Sequence, residues 1–207
     1  MKQLFMIVCF ALCLTGVATA QTTDLFISEY VEGSGYNKAL EIYNGTGDPI
    51  DLSNYAIERY SNGGTTATVI PLDSVSLVPG DVFVIANPSA DQALLDLADQ
   101  LSSDISFNGD DALVLVRSLQ IIDSIGQVGF DPGSAWTCDL GSTVNATLRR
   151  IPSFCEGDTD PTDEFDPCDT FSFFPSDTFD GLGSHSADCT SVGNGTVSWG
   201  SVKANYR

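Results

Sequence analysis

"FNGDDALVLV", residues 107–116, sets two aspartates, Asp110 and Asp111, against five consecutive apolar residues. Asn108-Gly109 is a tight-turn pair, and the run after it is apolar on both faces. Such a run belongs to a strand covered on each side, inside a layered β structure. The aspartates at its head admit two readings. They could hold calcium or polarise a water. They could instead accept hydrogen bonds from backbone N–H groups where the turn passes into the strand. Successive side chains of an extended chain point to opposite sides, so the two carboxylates do not face one ion unaided. The turn-and-cap reading follows.

Working outward, short β-rich runs alternate with turn formers. Strands are expected at 24–31, 38–44, 55–60, 67–72, 81–87, 112–117, 120–126 and 146–151. "SNGG" before residue 67 is a hairpin signal. Val82–Ala86, like Ala112–Val116, is apolar on both faces and is expected near the centre of a sheet. Many short strands at this spacing predict an all-β sandwich or barrel. One helix interrupts them. In "SADQALLDLADQL", Leu94, Leu97, Ala98 and Leu101 recur at helical spacing, and Ser89 with Gln92 reads as a capping box. After residue 150, "CEGDTDPTDEFDPCDTFSFFPSDTFDGLGSH" loses periodicity and reads as an irregular, disulfide-stapled segment whose phenylalanines plug the open sandwich edge.

The first twenty residues combine Lys2, an apolar run from Leu4 to Leu14, and Ala18-Thr19-Ala20. That order predicts a secretory signal peptide, since a membrane span needs roughly 20 apolar residues. The domain is expected over 21–190, with a linker and tail over 191–207. Beyond the leader stand Cys138, Cys155, Cys168 and Cys189. Four cysteines in an exported chain predict two disulfides. The sequence permits three pairings, and the two near pairs, Cys138 with Cys155 and Cys168 with Cys189, are expected. A four-thiolate zinc site lacks the usual CxxC pairs. The 207 residues carry 8 Lys plus Arg against 28 Asp plus Glu, a net charge of −20. A field of that sign repels phosphates and disfavours nucleic acid unless a cation bridges.

Several side chains are candidates for chemistry. Glu156, Asp158, Asp160, Asp163, Glu164 and Asp166 place oxygen ligands along one loop, as calcium requires, although the EF-hand spacing is absent. Glu29 and Glu41 could meet across a hairpin and share a cation, and Lys38 is expected to form an exposed ion pair with Glu29, Glu32 or Glu41. Trp136, in the loop "DPGSAW", could stack on sugar or cover the core. His185 is the chain's single histidine, next to Ser184, and no GxSxG turn is present. Strand neighbours point apart, so Ser184 and His185 are not expected to form a triad; the two-histidine set of an extracellular endonuclease cannot be assembled from one histidine, and no catalytic residue is assigned. Arg117, Arg149 and Arg150 are expected to pair within the fold. Asn44-Gly45-Thr46, Asn145-Ala146-Thr147 and Asn194-Gly195-Thr196 match the N-glycosylation pattern.

"LFISEYVEGSGYNKALEIYNGTG", "VFVIAN", "FNGDDALVLV", "SIGQVGFDPGSAW", "TLRR" and "DTFDGLGSH", in that order, resemble the bacterial lamin-tail domain. The likeness runs from about Asp24 to His185. It implies an immunoglobulin-like β-sandwich and a secreted or surface module without catalytic residues, often found beside a nuclease or phosphatase domain. Where many relatives carry a Trp-Asp-Gly-like stretch, this chain has "CDTFSFFPS". The expected function is therefore a secreted, non-catalytic interaction or targeting module, with calcium as its one candidate cofactor and a protein or glycan as partner. The alternative is an accessory chain of an extracellular nuclease or phosphatase with weak metal-dependent activity.

Overall fold

The structure, a computed structural model, describes residues 22–189; the expected leader (1–20) and tail (191–207) lie outside the described residues. In chain order the elements are β1 (Phe26–Glu32), β2 (Lys38–Tyr43), β3 (Ile50–Asp51), β4 (Tyr55–Tyr60), β5 (Thr68–Pro71), β6 (Ser76–Leu77) and β7 (Val82–Ala86). There follow α1 (Gln92–Leu95), β8 (Gln100–Leu101), β9 (Ala112–Arg117), β10 (Gln120–Ile125), β11 (Thr137–Cys138), β12 (Gly141–Ser142), β13 (Ala146–Arg150), α2 (Pro167–Thr170) and β14 (Phe171–Pro175).

Two sheets face each other. The first has the order β14-β13-β1-β2-β7-β8, and the second β10-β9-β4-β5. Their neighbours run antiparallel except for β7 and β8, which are parallel. Leu25, Ile27, Tyr30, Leu40 and Ile42 of the first layer meet Ile57, Leu113, Leu115 and Ile122 of the second in one apolar core. Burying each such side chain contributes about 1.5–3 kcal/mol, which makes the alternation of apolar residues the organising signal. As its sequence requires, β9 lies between β4 and β10 with both faces covered. β7 is also wholly buried, because Leu94 of α1 covers Val84 and Ala86 on the outer face.

The helix is shorter than its apolar spacing predicts. α1 stops at Leu95, and Gln100–Leu101 joins β7 as a strand. Asp99 decides this: its N–H donates to Val84 O at 2.9 Å and its carboxylate accepts from Val84 N at 2.8 Å. Those bonds to β7 replace the next helical turn. The capping box does not form either. Asp91 is the N-cap, and Ser89 N–H instead donates to Asn87 Oδ1 at 2.9 Å.

The segment after residue 150 is more ordered than expected. β14 pairs with β13 along its whole length and carries Phe171, which is 1 % exposed, into the main core. α2 begins at Pro167 under an Asp166 cap. The four cysteines form two disulfides, but the expected near pairing is wrong: the bonds join Cys138 to Cys168 and Cys155 to Cys189. The chain doubles back before each bond closes. α2 packs on β11, and Asp188 N–H reaches Pro152 O at 2.7 Å, so spatial neighbours are not sequence neighbours.

A charged pair joins the layers. Asp123 of β10 and Arg150 of β13 are 0 % and 1 % exposed in their side chains and are bonded through Asp123 Oδ2 and Arg150 Nη2. Asp123 also accepts from Ile27 N (2.7 Å), Ser124 N (2.9 Å) and Asp158 N (2.8 Å). Arg150 Nε donates to Ile27 O at 2.7 Å. Removing one member strands the other charge in the interior. Arg150→Met is therefore expected to lower the unfolding free energy by about 3–5 kcal/mol in chemical denaturation; a loss below about 1 kcal/mol would contradict the buried pairing.

Candidate functional site

Two of the sequence-selected acids, Glu29 and Glu41, lie on the outer face of the first sheet, beneath a strap formed by residues 177–189. Antiparallel register sets Glu29 of β1 directly opposite Glu41 of β2. Both are buried, at 2 % and 1 % exposure. They do not share a partner. Glu29 Oε2 accepts from Arg149 Nε at 3.0 Å, and Arg149 Nη2 also bonds Asp180 of the strap. Glu41 Oε1 accepts from Ser28 Oγ at 2.7 Å, and its Oε2 accepts from Gly183 N at 2.7 Å. Gly181 lies so close that a Cβ there would stand 2.3 Å from Glu29 Oε2 and 2.2 Å from Arg149 Nε. The strap can therefore rest on the ion pair only with glycine at that position. Leu182 enters the apolar cluster of Val31, Ala39 and Val84.

Burial dominates the electrostatics. It pushes the Glu29 carboxyl up to about 7, against the pull of Arg149 and with the help of Glu41 and Asp180. Glu29 Oε1 has no hydrogen-bond partner among the described residues. Glu41 is also raised by burial, opposed by the bonds from Ser28 and Gly183. His185 sits between Phe26 and Tyr43, with ring centroids 5.6 and 4.9 Å away. Burial, with the nearby Arg150 cation, pushes it down to about 4. Its Nε2 also has no hydrogen-bond partner among the described residues. A histidine held neutral in this slot packs against the two aromatic rings.

Lys38 does pair with Glu32, at 2.9 Å, but the pair is not the exposed one expected. Each side chain is 7 % exposed, because Lys38 Nζ is also drawn into the β1–β2 turn by the carbonyls of Gly33 and Gly35. Asp111 performs the turn-and-cap role. It accepts from Asn62 N (3.0 Å) and Asn108 N (3.2 Å) and lies 3.5 Å from Arg59, tying its own turn to the β4–β5 hairpin. Asp110 points elsewhere, half-buried, and its carboxyl is raised by burial first and by Asp111, Asp131 and Glu32.

In the acidic loop the carboxylates accept local backbone and hydroxyl bonds. Asp158 Oδ1 takes Asp160 N (3.1 Å), Asp160 Oδ1 takes Thr162 N and Oγ1 (3.2 and 2.7 Å), and Asp166 Oδ1 takes Cys168 N (2.9 Å). Among the described residues, the one group of three ligand atoms close enough to share a metal is Cys138, Asp166 and Cys168, whose two sulfurs are already joined. Glu156, Asp163 and Glu164 join no such group.

Trp136 is 6 % exposed and unavailable for stacking on sugar. Its ring lies against Gly126 (φ +84°) and edge-on to Phe165, with centroids 5.7 Å apart. Arg117 holds Asp24 at 2.7 Å. Asn44 is fully buried, with Nδ2 on Asp48 O and Leu77 O, which removes it as a glycan acceptor; Asn194 lies outside the described residues. The residues missed in the sequence are Asp123, Asp180 and Gly181. An aspartate inside "QIIDSI" was a visible sign that the strand carries a paired buried charge.

Two facing sheets, with an outer face sealed by the chain's own strap, define an immunoglobulin-like β-sandwich module. The family model of the lamin tail domain matches residues 18–129, more than half of the chain, and the chain belongs to that family. No curated protein and no solved structure matches it. No helix among the described residues is long and apolar enough to cross a membrane.

Two of the buried titrating groups, Glu29 and His185, pull stability in opposite directions. Glu29 has a raised folded pKa, so its contribution is full below about 4.5 and is lost as pH rises to about 7. His185 has a lowered one, so its contribution is full above about 6.5 and is lost as pH falls to about 4. Between pH 4.5 and 6.5 they offset each other. Relative to the unaltered chain, Glu29→Gln is expected to shift the slope of stability against pH upward across that window and His185→Phe to shift it downward, as read from urea midpoints. Identical slopes in both variants would refute the assignment.

Proposed function

We propose that the chain is a secreted, non-catalytic interaction module of lamin-tail type. The observation that carries this reading is that its buried charged and titratable groups are committed to the fold: Glu29, Glu41 and Arg149 beneath the strap, Asp123 and Arg150 between the sheets, and His185 between aromatic rings. The cavity at Asp123 and Arg150 is about 20 Å³, room for one water. A larger groove of about 360 Å³ is lined by Ile50, Asp51, Tyr55, Arg117 and Gln120 and contains none of those groups. Two disulfides and the signal-like start of the chain support export.

Calcium is left out of this reading, because the acidic loop uses its carboxylates as turn acceptors. The protein is expected to melt at the same temperature in EDTA and in millimolar calcium. Incubated with DNA and with a phosphate ester plus Mg²⁺ or Ca²⁺, it is expected to give no turnover. Metal-dependent hydrolysis that His185→Ala abolishes would replace the module with an enzyme.

A further inference from the structure

One lateral side of the sandwich is closed and the other is open. On the closed side, where β14 and β10 are the outermost strands, segment 151–166 runs alongside. Ser124 Oγ bonds Asp158 O at 3.1 Å there, and Val128 N bonds Pro161 O at 2.7 Å. On the open side the outermost strands are β8, of two residues, and β5. The Gln100 side chain bridges them. Its Nε2 donates to Pro71 O at 2.9 Å and its Oε1 accepts from Asp73 N at 3.0 Å.

Backbone alternation fixes which groups of β5 are in use. Leu72 N donates to Tyr55 O at 3.1 Å, so Leu72 faces β4; by the two-residue period, Ile70 and Thr68 do too. The N–H and C=O of Ala67 and Val69, the carbonyl of Pro71 and the N–H of Asp73 therefore point away from the sheet. The Gln100 amide takes the last two, as one residue of a neighbouring strand would. Val69 keeps an outward N–H and C=O, and its side chain is 53 % exposed.

We propose that β5 is a docking edge on which an extended, positively charged segment of a partner protein adds as a further strand centred on Val69. Charge selects the partner. From Tyr60 to Val116 the chain has eight aspartates and no Lys, Arg, Glu or His, and this span contains β5 to β8. Asp73 and Asp99, both exposed, stand next to the Gln100 bridge. A second copy would bring the same acidic edge and another net −20, which opposes self-association. The inference rests on the interaction-module reading and adds its surface and the partner's chemistry.

The test uses the ¹⁵N-labelled full chain and a pool of peptides of about ten residues, with Lys at alternate positions and the rest randomised; a second pool carries Glu instead. The Lys pool is expected to slow amide exchange at Val69 at least about tenfold, and the Glu pool to leave it unchanged. Val69→Pro removes only the outward N–H, because Val69 makes no ladder bond to β4, and proline is tolerated on an edge strand. This variant is expected to keep its melting temperature and to bind the Lys pool at least about tenfold more weakly, while Val69→Thr binds as the unaltered chain does. Absence of protection, equal protection by the Glu pool, or unchanged binding by Val69→Pro would overturn the proposal. Concentration-dependent protection without peptide would overturn it too, by assigning the edge to a second copy. Should Val69→Pro fail to fold, exchange in the unaltered chain decides alone. Capture of a partner through another surface would sink this inference but leave the module reading standing, whereas metal-dependent turnover would remove that reading instead.

Discussion

The sandwich depends on one buried ion pair. Asp123 and Arg150 come from different sheets, and each also holds the backbone of Ile27 in β1, so one pair fixes the distance and register between three strands. Asp123 further receives Asp158 N–H, which draws the acidic loop against the sheet edge. Complete burial raises the Asp123 carboxyl from its ordinary range, opposed by Arg150 and by three backbone donors. Such a pair adds little net stability compared with an apolar replacement of both members, but it penalises any arrangement in which one charge is buried alone. Its contribution here is selection of a single alignment.

The same logic repeats at the outer face. A sheet with buried glutamates at Glu29 and Glu41 needs donors brought to it, and the chain supplies them late: Arg149 from β13, itself held by the Asp180 carboxylate of the strap, and the Gly183 N–H. Because that face is filled by the protein's own polypeptide, the free surfaces for recognition shift to strand edges and loops. This matches an immunoglobulin-like scaffold, whose binding properties lie in what is displayed and not in its core.

What the sequence disclosed follows from range. Alternation within a strand is local, so the eight strands of the expected sandwich were legible, and so was the turn role of Asp111. Interactions between distant segments were not. The helix around Leu94 was overcalled because nothing in "QALLDLADQL" announces that Asp99 bonds Val84. The cysteine pairing failed for the same reason: it depends on how the chain folds back, not on spacing. Trp136 reads as a loop aromatic until Gly126 and Phe165 are seen beside it. Lys38 looked exposed because the carbonyls that bury it belong to a turn whose path the sequence does not encode.

The order of the chain gives the strap a further meaning. Phe26, Ser28 and Glu29 are among the first described residues, while their cover, Leu182 to His185, is among the last. A polypeptide emerging from its amino end leaves these early strands with an uncovered oily and acidic surface until residues 182–185 have been made. Cys189, the last described residue, then fastens the lid. A chain truncated a dozen residues before that cysteine would keep most of its sheets and lose the cover, exposing an adhesive face that the whole molecule never displays.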